Sequence, residues 1–260
     1  MKQKKTDFKS SRTDLIIEQK ITTIAHKTIE ENQLLKVIQG EEKSSVSTTI
    51  FFKDITDHNH FKLVQHTFIK YLKQYIKINR QDTILVIGLG NSKSTPDALG
   101  PTTIDNILVT RYLFLLGEVE EGYSNVCSFT PNVMGNTGIE TANIIKSIIK
   151  ETKATKVIVI DALKTNDLSH LLKTIQITNK GISPGSGIQN NRKEISKKTV
   201  GVDIIAIGVP TVVDINCLIQ TKENLIVTPT DIDFIIDKLS ILIGNGINMV
   251  LHKKFDKKGD

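Results

Sequence analysis

The stretch TILVIGLGNSKSTPDALG, residues 83–100, decides the fold, because it joins an apolar β-rich run to a glycine-rich turn and then to an acid. Gly88 and Gly90 follow the run as they do in a dinucleotide-binding turn, but Lys93 stands where the third glycine of that fingerprint belongs. The stretch also lacks the Gly-Lys-Ser/Thr ending of a phosphate-binding P-loop. We therefore expect a strand and a tight turn whose chemistry depends on Asp97.

Comparable apolar runs recur at 156–163 and 203–210, and helical stretches near 100–116 and 138–151 lie between the first two runs. Continuous apolar strands that alternate with helices are typical of strands buried on both faces. The predicted fold is therefore α/β, with a mostly parallel sheet covered by helices on both faces.

The flanking segments give further elements. VSTTIFF (46–52) predicts a strand, and TPTDIDFII (228–236) predicts a C-terminal helix capped by Thr228 and interrupted at Gly244 and Gly246. The apolar residues of 61–76 recur at helical spacing and form one stripe, which predicts a helix there. The stripe consists of Phe61, Val64, Phe68, Leu72 and Ile76.

The composition is that of a globular protein, since 39% of the 260 residues are apolar and 24% are charged. Although the net charge is +6, nearly all of the positive charge is lysine and tryptophan is absent. Base readout and stacking depend on arginine and aromatic residues, so we expect no direct nucleic-acid binding. No apolar run approaches the roughly 18–20 residues that span a bilayer, and the N-terminus lacks a signal-peptide pattern. We expect a cytoplasmic protein without a membrane partner.

Two aspartates lie where an α/β sheet collects its catalytic groups, at the carboxyl ends of strands. Asp97 follows the first apolar run, and the run KVIVIDAL places Asp161 at its end. Burial of an unpaired carboxylate is costly, so an acid that ends an apolar run indicates a function. Asp97 also suits a helix cap, and the pattern alone leaves both interpretations open.

If both carboxylates face one cleft, they interact strongly. Two unit charges about 4 Å apart repel by about 4 kcal/mol in an effective dielectric near 20, enough to move a pKa by about three. One aspartate is then expected to keep its proton, so the pair can accept a proton from water and donate one to a leaving amine. This chemistry is sufficient for hydrolysis of a peptide bond.

GISPG (181–185) has the Gly-x-Ser-x-Gly spelling of a serine hydrolase elbow. The residue after the serine is Pro184, which has no N–H for an oxyanion hole, so a glycine-rich loop is the better interpretation. We expect Gly185, Gly187 and Arg192 to contact substrate. Scattered histidines and the HNH at 58–60 provide no set of metal ligands, so no metal or other cofactor is predicted.

A second glycine-bearing stretch, PNVMGNTGIETANIIKSI (131–148), contains Thr137 and Glu140 at the spacing of a helix capping box. The free N–H groups of such a helix start are expected to face the cleft. Gly135 and Gly138 are therefore predicted to bind substrate.

Several of these segments together resemble the spore germination endopeptidases, peptidase family A25. The resemblance covers about residues 83–214 and resumes at 225–252, while residues 20–80 match poorly. It depends on GLGNSKSTPDALGPTTIDNILVTRYLF, PNVMGNTGIETANII, VIVIDAL, TIQITNKGISPGSG, NRKEIS, IAIGVPTVVD and LIVTPTDIDFIIDKLSILIGNGINMVLH.

The resemblance implies a fold similar to the hydrogenase-maturation endopeptidases, which is a phosphorylase/hydrolase-like fold. It places the catalytic acids on Asp97 and Asp161, without a cofactor. It also implies a homotetramer, made as a zymogen in the spore core, that digests small acid-soluble spore proteins at germination.

SSRTDLIIE (10–18) resembles the propeptide junction of the family, which implies self-cleavage between Asp14 and Leu15. The expected organisation is a propeptide over 1–14, an N-terminal extension over 15–79 and an α/β peptidase core over 80–255. One departure from the family pattern is the segment INCLIQTKENLI between VPTVVD and VTP, which is usually considerably longer in the family. We expect this difference to affect oligomer contacts and zymogen control more than catalysis.

Two alternatives stay open at this point. One is a metal-dependent peptidase of the maturation type, which a chelator would inactivate. The other is a paralogue that binds spore proteins or DNA without cutting, which incubation with an acid-soluble spore protein would distinguish.

Overall fold

The structure is a computed structural model that describes residues 14–19, 24–42, 45–185, 192–217, 219 and 225–258. Its strands are β1 (Ala25–Glu31), β2 (Leu35–Glu42), β3 (Ser45–Phe52), β4 (Thr83–Gly88), β5 (Asn125–Phe129), β6 (Lys156–Thr165), β7 (Thr174–Thr178), β8 (Asp203–Asp214) and β9 (Ile226–Val227). Its helices are α1 (His58–Tyr75), α2 (Leu99–Ile104), α3 (Arg111–Leu116), α4 (Met134–Thr137), α5 (Thr141–Thr152), α6 (Lys197–Val200) and α7 (Ile232–Leu251).

All nine strands belong to one sheet in the order β1-β2-β3-β7-β8-β6-β4-β5, with β9 paired to β8. The α/β class is confirmed. The strands β5, β4, β6 and β8 are parallel, as predicted, but every other pairing is antiparallel, so the sheet is mixed. The physical reason is loop length, because β1, β2 and β3 follow one another through short connections that permit only antiparallel pairing.

Helices cover both faces of the parallel strands, as the apolar runs predicted. Ile84 and Ile158 point to a core shared with α1, α2 and α7. Their chain neighbours Leu85 and Val157 point to a second core shared with α5 and α6. Each fully buried side chain of this kind contributes about 1.5–3 kcal/mol to folding, which explains why the strands read as unbroken apolar runs.

The helix α1 confirms the predicted apolar stripe, since Val64, Phe68 and Leu72 are buried on it. Asp57 caps its N-terminus by accepting hydrogen bonds from the N–H groups of Asn59 and His60. The HNH motif is therefore the first turn of a helix.

The helix α7 runs unbroken from Ile232 to Leu251, so the expected interruption was wrong. Gly244 and Gly246 instead allow close packing, because a Cβ at either position would lie 2.6 Å from Asn106 or Phe68. Thr228 does not cap it, since its hydroxyl donates to the carbonyl of Thr211 and Asp231 is the N-cap.

By length and apolar composition alone, α7 qualifies as a membrane-spanning helix, which the sequence had not led us to expect. Buried core helices meet the same two criteria, and half of α7 is buried in this structure. Its packing against α1 and α2 accounts for its apolar character.

The N-terminal segment extends the sheet, because β3 pairs with β7 along Ser47–Phe51. Leu35, Val37 and Ile50 are buried in the same core as α7. The domain boundary near residue 80 stays a prediction.

Candidate active site

The turn after β4 is shaped by glycines. Gly90 has φ 114°, and a Cβ at that position would overlap the carbonyl oxygen of Asp97. Gly88 and Gly100 approach each other just as closely. The N–H of Asn91 donates to the Asp97 carbonyl at 3.0 Å and closes the loop. Glycine is thus required for the bend itself, and the bend places Asp97 beside the end of β4.

Asp97 ends a short 3-10 turn over Thr95–Asp97, and it is not the cap of α2, whose N-cap is Ala98. This turn is tied to the sheet by the hydroxyl of Thr211 in β8, which donates to the carbonyl of Pro96 at 2.6 Å. The position of Asp97 is therefore set from two strands.

Asp161 lies inside β6, whereas the sequence placed it at the strand end. The strand continues to Thr165 because β8 extends beside it to Asp214. The last pair between β6 and β4 is Ile160 with Gly88, so Asp161 is the first residue of β6 past the point where β4 turns away. Its side chain is only 5% exposed, and its Oδ1 accepts the N–H of Ala162 at 3.0 Å.

Both aspartates line one cavity of about 270 Å³. Asp14, Gly185 and Arg192 line it as well. The cavity is thus the common hollow that a carboxylate pair requires. Its remaining walls come from Leu89, Gly90, Ser94, Pro96, Asn132, Val133, Thr141, Ala162, Leu163, Lys164, Pro184, Thr211, Val212 and Ile226.

The two carboxyl groups titrate far from their ordinary range. Burial raises the pKa of Asp97 from 3.8 to about 6. The hydrogen bond from the N–H of Asn91 and the positive charge of Arg192 lower this pKa, but their effect is smaller than that of burial. Burial also raises the pKa of Asp161 well above 3.8, and the negative charges of Asp97 and Asp14 raise it further. Two carboxyl groups with raised pKa values that face one cavity titrate as a coupled pair, in which a proton is kept to higher pH than on an ordinary aspartate.

The predicted Asp14-Leu15 junction lies against the end of β6. The N–H of Asp14 donates to the carbonyl of Lys164 at 3.0 Å, and the N–H of Lys164 donates to Asp14 Oδ2 at 3.0 Å. Leu15 is fully buried, and the N–H of Ile16 donates to the side-chain oxygen of Gln176 at 2.7 Å. Asp14 therefore lines the same cavity as the two aspartates.

Two predicted binding residues lie elsewhere. Gly135 is within α4, and Gly138 ends that helix with a left-handed φ of 68°, so neither is among the residues that line the cavity. The capping box was also wrong, because Thr137 belongs to α4 and Glu140 is the N-cap of α5 without a side-chain cap bond. The stretch faces the cavity with Asn132 and Val133 instead. Gly187 lies outside the described residues.

Sequence reasoning gave no role to Lys164 and Asp214, whose side chains form a buried ion pair at 2.6 Å beside the cavity. The available signal was a charged residue after each of the runs VIVIDAL and IAIGVPTVV. Within the ranges that the structure describes, no group of three or more His, Cys, Asp or Glu side chains is arranged to hold a metal ion.

Comparison with known proteins identifies close relatives. The family model for germination protease matches residues 5–222. Among solved structures, a [NiFe] hydrogenase maturation protease from Thermococcus kodakarensis aligns with 70% of this chain and 98% of its own, at 16% identity and a TM-score of 0.41.

Three curated relatives carry the name germination protease. That of Geobacillus sp. is 49% identical over 173 residues, which cover 64% of this chain and 46% of the relative. That of Bacillus thuringiensis subsp. konkukian is 40% identical, over 79% of this chain and 64% of the relative. That of Clostridium tetani is 37% identical, over 75% and 74%. The matched region thus spans between about half and three quarters of the relatives' length, and the chain belongs to the germination protease family.

Proposed function

We propose that this protein is an endopeptidase in which Asp97 and Asp161 activate a water molecule. The observation that carries the proposal is that both aspartates line one cavity together with Asp14, the residue before the predicted cleavage point. The relatives named germination protease support the reaction class. The raised pKa values of both aspartates support the mechanism, because a catalytic acid and base need pKa values near the working pH.

The proposed reaction assigns one proton transfer to each aspartate. Ionised Asp97 accepts a proton from water while the water oxygen bonds to the carbonyl carbon of the scissile peptide. Protonated Asp161 donates its proton to the leaving nitrogen as the carbon–nitrogen bond breaks, leaving a carboxylic acid and an amine. The proton that Asp97 took from water then passes to Asp161, which restores the starting pair. Asp161 is the assigned acid because its pKa is raised by burial and also by the charges of Asp97 and Asp14. An acidic residue before the scissile bond thus helps to keep the catalytic acid protonated.

We propose that the first peptide cut is the protein's own. The backbone of Lys164 holds Asp14 against the cavity at two points, since its carbonyl accepts the N–H of Asp14 and its own N–H donates to the Asp14 side chain. Cleavage after Asp14 would release the preceding residues, as in a zymogen that processes itself. The same site would then accept small acid-soluble spore proteins in the spore core, within a homotetramer.

Self-processing tests the proposal directly. Purified full-length chain is incubated near neutral pH, and its mass is followed over time. We expect a product that begins at Leu15, unaffected by chelator, and no product from Asp97→Asn or Asp161→Asn. Continued cleavage after Asp14 in both variants would reject the aspartate pair.

A second assay addresses the substrate class. The processed chain is mixed with a small acid-soluble spore protein, and the fragment masses are read. We expect cuts that follow an acidic residue and precede an apolar one. An intact spore protein that remains bound to the chain would instead support a binding protein without protease activity.

A further inference from the structure

The side chain of Glu18 is held by the segment that follows β6. Its Oε1 accepts from the hydroxyl of Thr165 and contacts Nδ1 of His170 at 2.6 Å, while its Oε2 accepts the N–H of Asn166 at 2.8 Å. The side chain is only 10% exposed, so these contacts form largely out of water. Hydrogen bonds to an ionised acceptor are about twice as strong as neutral ones.

We propose that Thr165, the N–H of Asn166 and His170 form a subsite that recognises an acidic side chain four residues after the scissile bond. We call it the carboxylate subsite. The inference rests on the proposed function, since Glu18 is the fourth residue after the predicted Asp14-Leu15 bond.

Three contacts hold the segment around the junction, whose residues Ile16–Glu18 form a short 3-10 turn. Asp14 is held by Lys164, Ile16 by Gln176 and Glu18 by the carboxylate subsite. These three anchors occur at every second residue. A peptide held at all three is fixed in register against the aspartates, whereas a peptide held only by apolar contacts is able to slip.

The donors of the carboxylate subsite are fixed by the fold. Asp167 accepts from the N–H and hydroxyl of Ser169, which shapes the turn that carries His170. The ring of His170 packs against Phe51 with centroids 5.1 Å apart, and its Nε2 lies 3.9 Å from Asp167 Oδ2. The ring thus contacts Glu18 through Nδ1 and faces Asp167 through Nε2. Such a site favours an acid and disfavours an amide, whose NH₂ group would face the donors.

Binding to an inactive chain separates this inference from catalysis. The full-length chain carrying Asp161→Asn and Glu18→Ala would vacate its own subsite without cutting. A fluorescent peptide with the sequence of residues 10–22 is titrated against it and followed by anisotropy. Two comparison peptides carry Glu18→Gln or the residues Ile17 and Glu18 in exchanged order. We expect each of these to bind at least about tenfold more weakly than the parent peptide.

Receptor variants locate the recognition. Thr165→Val and His170→Gln should each weaken the parent peptide several-fold and leave the weak Glu18→Gln peptide unchanged, since that peptide lacks the carboxylate. Thr152→Val is the matched control, because the Thr152 hydroxyl donates to the carbonyl of Ile148 within α5 and has no contact with the subsite. Melting curves of all variants confirm that each is folded before titration.

The outcomes distinguish the two proposals. Equal binding of the Glu and Gln peptides, or binding of neither, would overturn the carboxylate subsite even if self-processing occurs. A clear preference for the Glu peptide, lost in Thr165→Val and His170→Gln, would support the subsite even if the unmodified chain never cuts itself.

Discussion

The parallel and antiparallel halves of the sheet contribute different residues, to the cavity and to the segment that follows Asp14. The parallel half supplies Asp97 from the turn after β4 and Asp161 from β6. The antiparallel half supplies Gln176 from β7 and His170 from the turn before it, and both contact the segment that follows Asp14. In the proposed enzyme, the parallel half therefore performs the chemistry and the antiparallel half holds the peptide.

This difference follows from strand geometry. Parallel strands all end at one edge of the sheet, so the turn after β4 and the exposed part of β6 meet there. The antiparallel strand β7 runs beside β8, and its Gln176 contacts Ile16 in the segment that follows Asp14. Changes in the parallel half should alter rate constants, and changes in the antiparallel half should alter binding.

The largest effect is expected for Asp161→Asn. We expect self-processing to fall at least about a hundredfold, because a proton donor is removed. The same change should raise the free energy of unfolding at neutral pH, since the amide needs no desolvated charge. A carboxyl group whose pKa is raised on folding stabilises the protein below its unfolded pKa and loses that effect as pH rises through the folded pKa. The stability gain should therefore grow from pH 4 towards pH 8.

Thermal unfolding of the two chains across that pH range is the measurement. A gain that is independent of pH would contradict the burial of a titrating carboxyl at Asp161. A variant that is inactive and also less stable at every pH would indicate that the acid serves the fold.

Gly90→Ala should have the next largest effect. An alanine at φ 114° costs about 1–3 kcal/mol in backbone strain, and its Cβ would also overlap the carbonyl of Asp97. Gly117→Ala is the matched control, because Gly117 also has a positive φ of 75° but faces open space. We expect both variants to lose stability and only Gly90→Ala to lose most self-processing. Equal activity in the two variants would mean that the turn does not position Asp97.

The parallel half could be predicted from sequence to a large extent, whereas in the antiparallel half the sequence predicted β3, from VSTTIFF, but not the strands that pair with it. Runs such as 83–89 and 156–163 are so rich in apolar residues that their burial can be predicted from composition. An acid within such a run indicates a functional site. Gln176 and His170 carry no comparable signal, because each is a single polar residue whose partner lies far away in the chain. Gly135 and Gly138 lie away from the cavity wall for a local reason, since the four-residue helix α4 stands where one longer helix was expected.

Arg192 tests how a nearby positive charge affects the pKa values of the two aspartates. Its positive charge lowers the pKa of Asp97 and of Asp161, so Arg192→Gln should raise both. The rate of self-processing should rise with pH as Asp97 ionises near its pKa of about 6 and fall again when Asp161 loses its proton. Both limbs of the pH–rate profile should move to higher pH in the variant. An unmoved acid limb would remove Arg192 from the site.

Gln176→Leu should have the smallest effect and acts only in the antiparallel half. It removes the acceptor for the N–H of Ile16, a bond of 2.7 Å that is buried, and such a loss costs about 1–3 kcal/mol. Gln176 takes no part in the proposed proton transfers, so the pH–rate profile should keep its shape. The KM for peptides added in trans should rise, and kcat should change little. Gln39→Leu, on β2, is a control, since Gln39 pairs with Thr48 and Gln74 away from the cavity. If Gln176→Leu lowered kcat and left KM unchanged, peptide holding and chemistry would not be divided between the two halves of the sheet.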